Sequence, residues 1–176
     1  KAYVYVEKTL SENNSRHQKV ISKTKSFIRY DRFCHIQRVT AWVNRIADEL
    51  GKTTDGSLVL DKECLLLASV LHDVGYNAYH ISKDHSEAGV VLAEQFLTAE
   101  GVEEEKKEKI LNLIRLHSRK DLMFLEDTPM ELVILMEADL MDDMGASGLV
   151  MDAWINTRMN QDATSFDTIF EHMQKY

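Results

Sequence analysis

The sequence predicts an all-α protein folded as a single-domain helical bundle, and three observations carry that expectation. Apolar residues recur at helical spacing along most of the chain, while strand-type alternation is nearly absent. One proline and seven glycines in 176 residues leave few points at which helices must break. Hydrophobic residues make up 44% and charged residues 28%, enough apolar matter for one sizeable core and too much for a disordered chain.

Each element has its own signal. Residues 2–29 are polar and only partly periodic, and Val20, Ile21, Phe27 and Ile28 suggest a short leading helix. A clearer helix covers about 31–50, with Phe33, Ile36, Val39, Val43, Ile46, Ala47 and Leu50 on its apolar face and Gly51 placed as its terminator. After a turn at 53–56, Asp61 is a good N-cap for a helix reaching Val74, with Gly75 as its stop. That helix is apolar on most sides, as befits the centre of a domain. A loop at 76–82 follows. Asp84 and Glu87 have capping-box spacing and open a helix to about Ala99. Residues 103–117 form the next helix, acidic at its start and basic at its end, as the helix dipole favours. Thr128, Pro129 and Glu131 supply an N-cap, a proline at the first position and a capping-box acid for a helix to Met144. Shorter helices finish the chain, with Trp154, Ile155, Phe166, Ile169 and Phe170 as core candidates. The division expected is a helical extension at 1–30, a main helical domain at 31–150, and C-terminal helices at 151–176 packed on it.

Charge and composition narrow the partners. The formal net charge of −8 argues against long DNA or RNA, whose phosphates need clustered Lys and Arg. A small anionic ligand stays open, because a bound cation can reverse a local field. No apolar run approaches a membrane span, so no membrane partner is expected. Cys34 and Cys64 are the two cysteines, without a CxxC pair. Both sit in apolar helical pattern and are expected as buried free thiols, which favours a reducing, cytoplasmic setting. Oligomeric state is left open, a homodimer included.

The chemistry lies in polar residues embedded in apolar helices. His72 and Asp73 interrupt the run LLLASVLHDVG, Asp139 sits in VILMEADLM, His117 ends ILNLIRLH, and His35 lies among Phe33, Cys34 and Ile36. Burying an unpaired carboxylate is costly, and an imidazole needs partners. Sharing a cation offsets that cost. Imidazole with carboxylate suits divalent Fe, Mn, Zn, Co or Ni. Asp73 can present two oxygens and so could bridge two ions. Taken singly, each residue has an ordinary explanation: a satisfied core histidine, a helix cap, or for His85 an exposed first turn. Glu137, Asp142 and Asp143 compete for the role of Asp139. The joint order H, HD, H, H, D on successive helices is far more specific than any part.

That order resembles the HD-domain superfamily of metal-dependent phosphohydrolases, over about residues 31–150. The carrying segments are CHIQRVTAW, SVLHDVGY, KDHSEAGVVLAEQFL, NLIRLHSRKD and LMEADLMDDMGA. The resemblance implies a helical bundle of the HD-domain type with His35, His72, Asp73 and Asp139 as core metal ligands. Two-metal members add two histidines, and His85 and His117 match those positions. The HHExxDGxGYP signature of cyclic-dinucleotide phosphodiesterases and the Glu–Asp pair of alarmone hydrolases are absent, which disfavours those substrates.

The function expected is hydrolysis of a phosphate ester or nucleotide phosphate bond by metal-activated water, with Asp73, His85 and His117 as catalytic residues and one or two divalent ions as cofactor. The partner is a small phosphorylated substrate, a nucleotide among the candidates. Arg38, one turn after His35, and Lys83, just before Asp84–His85, are the candidate phosphate-binding residues, and Arg115, Arg119 and Lys120 flank His117. Tyr76 and Tyr79 could stack on a base or serve as lid or core. His17, His80 and His172 fall outside the pattern. Two alternatives stand beside the hydrolase: a di-iron oxygenase of the HD-domain type acting on a small polyol or phosphonate, and a non-catalytic metal-binding module.

Overall fold

The computed structural model describes residues 1–20, 32–53 and 58–144. Among them are α1 (Ala2–Val20), α2 (Arg32–Thr53), α3 (Lys62–Leu71), α4 (His85–Ala99), α5 (Glu104–Leu116) and α6 (Met130–Met144), with a short 3-10 helix at Lys120–Phe124 and no strand. The all-α expectation is met. None of these helices is long and apolar enough to cross a membrane.

The apolar helix forecast for the centre is α3, which packs against α1, α2, α5 and α6. Leu65, Ala68 and Leu71 are wholly buried there. Burial of each leucine contributes roughly 1.5–3 kcal/mol. α2 lies against α6 and α4 against α5, with Val39, Val43, Ile110, Ile114, Leu132 and Leu135 closing the same core.

Several helix ends follow the sequence signals and several do not. Asp61 caps α3 by accepting from the backbone N–H of Cys64 at 3.1 Å, and Asp84 caps α4 through the N–H of Ser86 at 2.8 Å. α4 ends at Ala99, and Gly101 just past its cap has a φ of +72° that suits a left-handed terminator. Gly51 does not end α2, which continues to Thr53. The capping box forecast at Thr128 and Glu131 is not formed. The Thr128 hydroxyl donates to the Leu122 carbonyl at 2.6 Å, and Glu131 accepts from the Asp61 N–H at 2.8 Å. Glu131 thereby ties the start of α6 to the start of α3, a tertiary partner that outcompetes the local one.

The N-terminal expectation needs the largest correction. A helix fills residues 2–20, longer and earlier than the short leading helix that Val20, Ile21, Phe27 and Ile28 suggested. Val6 and Leu10 are buried in the common core, and the Asn13 amide donates to the carbonyls of Val74 and Tyr76, both at 3.4 Å. The rest of that forecast segment, residues 21–31, lies outside the described residues, as do residues 145–176 with the forecast terminal helices, Trp154 and His172. Cys64 is buried as expected, but Cys34 is exposed. It follows Phe33 on α2 at an angle that turns it away from the core, so helical neighbours of apolar type do not guarantee burial.

Candidate metal centre

Helix ends build the site. His35 stands in the first turn of α2 and His85 opens α4. His72 closes α3 and His117 closes α5. Asp73 follows in the turn after α3, and Asp139 comes from α6. The two closing histidines are oriented by the same device. A helix leaves its last carbonyls without intrahelical donors. His72 Nδ1 donates to the Ser69 carbonyl at 2.8 Å, and His117 Nδ1 to the Ile114 carbonyl at 2.6 Å. Each ring thereby has its Nε2 lone pair turned toward the aspartates.

All six sequence-predicted ligands converge. Asp73 Oδ2 lies 3.6 Å from His35 Nε2 and 3.7 Å from His72 Nε2. Its other oxygen, Oδ1, lies 3.5 Å from His85 Nε2 and 3.6 Å from His117 Nε2. Asp139 Oδ1 stands 3.2 Å from His35 Nε2 and 3.8 Å from His72 Nε2. One aspartate therefore turns one oxygen to each of two imidazole pairs, and the second aspartate shares only the first pair.

The donor set fits a cation. His72 Nε2 is buried and has no hydrogen-bond partner among the described residues, although two carboxylate oxygens face it. Burial holds this ring's pKa down to about 4, so it carries a lone pair rather than a proton at neutral pH. A lone pair confronting two anionic acceptors is unfavourable unless a positive ion lies between them. Burial works against charge on Asp73 and Asp139 as well, yet both are held below the usual carboxylate range, Asp73 by Arg32 and then by His72 and His117, Asp139 by His35 and His72 and then by Lys120. The groups His35–His72–Asp139 and His72–Asp73–His117 each place three ligand atoms within reach of one ion.

His35 behaves oppositely to His72. Burial disfavours its charge, but the carboxylates of Asp139 and Asp142 on its two ring nitrogens overcome that and raise it to about 9. A raised histidine stabilises the fold below its unfolded value of about 6.5 and loses that contribution as pH rises toward 9. A lowered histidine does the reverse, so protonation costs His72 stability as pH falls from 6.5 toward 4. The metal-free protein is therefore expected to be most stable near pH 6.5, with losses on the order of 2 kcal/mol toward pH 4.5 and pH 8.5. Urea unfolding in a chelator across this range checks it; a flat profile contradicts it.

The forecast phosphate-binding pair is not where the sequence put it. The Arg38 guanidinium forks onto Asp142, with Nε to Oδ1 at 2.6 Å and Nη2 to Oδ2 at 2.9 Å. Asp142 Oδ2 in turn holds His35 Nδ1 at 2.7 Å. Arg38 thus acts on the far side of His35, a carboxylate–histidine support of the kind that orients metal ligands. Lys83 is exposed. Neither lines the cavity of about 360 Å³ that opens over Asp73, Asp139, His85 and His117.

Among the described residues, the cations on that cavity are Arg32 and Lys120. Arg32 Nη1 meets Asp73 Oδ2 at 2.7 Å, with its guanidinium 4.0 Å from the Tyr76 ring centroid. Lys120 Nζ meets Asp139 Oδ2 at 2.7 Å. Sequence reasoning passed over Arg32 and named Lys120 only as a neighbour of His117, yet one signal could have found both. Arg32 stands three residues before His35, and Lys120 three after His117. Asp142, three after Asp139, obeys the same one-turn offset. Ser118 is a further omission, its Oγ lying 3.3 Å from His85 Nε2 and 3.4 Å from His117 Nε2.

Of the remaining expectations, Tyr76 lines the cavity, whereas Tyr79 is exposed and absent from its wall. His80 turns its Nε2 to Arg16 Nη1 at 2.8 Å and takes no part in the cluster. Glu137 is exposed, which leaves Asp139 as the α6 carboxylate facing the histidines His35 and His72. The His17 side chain lies outside the described residues.

An all-α bundle that gathers four imidazoles and two aspartates at its helix ends defines a class of metal-centre domain. The family model of the HD domain matches residues 32–144. The chain belongs to the HD-domain family. No curated protein and no solved structure matches it.

Proposed function

We propose that this protein is a metal-dependent phosphohydrolase that cleaves a phosphate ester or phosphoanhydride bond of a small substrate at a two-ion centre. The observation that carries the reading is the division of Asp73, with one oxygen toward His35 and His72 and the other toward His85 and His117. His35, His72 and Asp139 would hold one ion, His85 and His117 the other, and Asp73 both. Divalent ions held there supply a lowered pKa for water and electrostatic stabilisation of phosphoryl oxygens. The chain's own part is arrangement: carbonyl contacts fix the imidazoles of His72 and His117 before any ligand arrives, and a cavity of about 360 Å³ suits a small molecule.

The test is a screen of phosphate esters, cyclic nucleotides and nucleoside polyphosphates with Mn²⁺, Co²⁺, Fe²⁺ or Zn²⁺ added, and elemental analysis of the same sample. Hydrolysis with about two ions per chain is expected. His85→Ala and His117→Ala should each lower the content to about one. Unchanged stoichiometry in those variants points to a mononuclear site. Activity that requires both iron and O₂ would replace the hydrolase by an oxygenase. A melting temperature and activity indifferent to every metal would leave a binding module.

A further inference from the structure

The two cations of the cavity have a role that neither the family match nor the ligand set assigns. We propose that Arg32 and Lys120 are counter-ions of Asp73 and Asp139 in the metal-free protein that become an anion clamp when divalent ions are bound. The proposal rests on the phosphohydrolase reading for its substrate class, a phosphoryl anion, and on the geometry below for its residues.

Among the described residues, the wall of the cavity carries the carboxylates Asp73, Asp139 and Asp143 beside Arg32 and Lys120. Arg32 and Lys120 each contact one oxygen of a proposed bridging or terminal ligand at 2.7 Å. Both are largely shielded, at 18% and 25% side-chain exposure, so their charges act through a medium less screening than bulk water. Divalent ions held by Asp73 and Asp139 would offset the charge of those carboxylates, and a phosphoryl oxygen would then be an alternative acceptor for the Arg32 and Lys120 donors that now contact them.

The two cations differ usefully in shape. Arg32 offers a planar fork, held against the Tyr76 ring at 4.0 Å, that matches two phosphoryl oxygens. Lys120 offers a point charge from the 3-10 helix. Binding of ion and anion would be cooperative, since each ion offsets a carboxylate with which the anion competes.

Isothermal titration separates the parts, with inorganic phosphate as the probe and Mn²⁺ as the ion. Phosphate should bind the Mn²⁺-loaded wild type at least about tenfold more tightly than the metal-free protein. Arg32→Gln and Lys120→Gln should each weaken phosphate by at least about tenfold in the loaded state. Both should leave Mn²⁺ affinity unchanged or raise it, because a competing cation is gone, and Arg32→Lys should recover part of the phosphate affinity. Phosphate affinity unaltered in both Gln variants overturns the clamp. So does Mn²⁺ affinity that falls in step with phosphate, which would make these residues supports of the ion site. Turnover is not needed for the measurement. Phosphate binding that depends on Arg32 in a protein inert toward phosphate esters keeps the clamp and removes the hydrolase. Ester hydrolysis with unaltered KM in both variants does the opposite.

Discussion

Asp73→Ala is expected to lower turnover by roughly 10³-fold or more and to reduce bound metal below one ion per chain. Among the described residues, no other side chain presents one oxygen to His35 and His72 and a second to His85 and His117. Its loss removes the shared ligand from both proposed ion positions at once, whereas loss of His85 or His117 affects only one. Helix content should survive, because the Asp73 side chain caps no helix and sits in the turn beyond α3. Far-ultraviolet circular dichroism, elemental analysis and a steady-state assay of the same preparation decide the matter. Retained turnover in a folded variant would remove the central role given to this carboxylate.

Gly75→Ala is expected to destabilise the fold by about 3 kcal/mol or more, although it adds a single methyl group. The added carbon would overlap the backbone N of Gly89 and the backbone carbonyl of His85, with the backbone carbon of Ala88 only 2.8 Å away. None of these atoms can turn aside as a side-chain tip could. The turn after α3 and the first turns of α4 would have to separate, and with them Asp73 and His85. The variant should therefore lose metal affinity as well as stability, and chemical denaturation with metal titration would show both. A wild-type midpoint would mean that the two segments are not in contact. Gly89, on the facing turn, is more forgiving: a carbon there would lie 3.4 Å from the His72 carbonyl and from an Ile114 methyl, ordinary contacts that need little adjustment.

These residues show what could be read beforehand and what could not. The ligands were legible because a polar residue in an otherwise apolar helix breaks a strong local pattern, and His72, Asp73, His117 and Asp139 all break one. N-caps at Asp61 and Asp84 were legible because their partners lie two or three residues away. Thr128 and Glu131 carried an equally good local signal, but each found a partner elsewhere, six residues before it and seventy residues before it. Arg38 was placed correctly on the His35 face of α2, yet Asp142 from α6 claimed its guanidinium. α1 was underestimated because its docking uses a few buried residues, Val6, Leu10 and Asn13, too few to make an apolar stripe.

The sequence by itself determined the helical class, the central position of α3 and the six side chains of the candidate metal centre, since each depends on residue type and spacing within one element. The tertiary structure decided which oxygen of Asp73 faces which histidines, which cations reach the cavity, and why position 75 must be glycine. Those facts depend on how separate helices meet, and the energy of a close approach or an ion pair is set by distances that no single segment encodes.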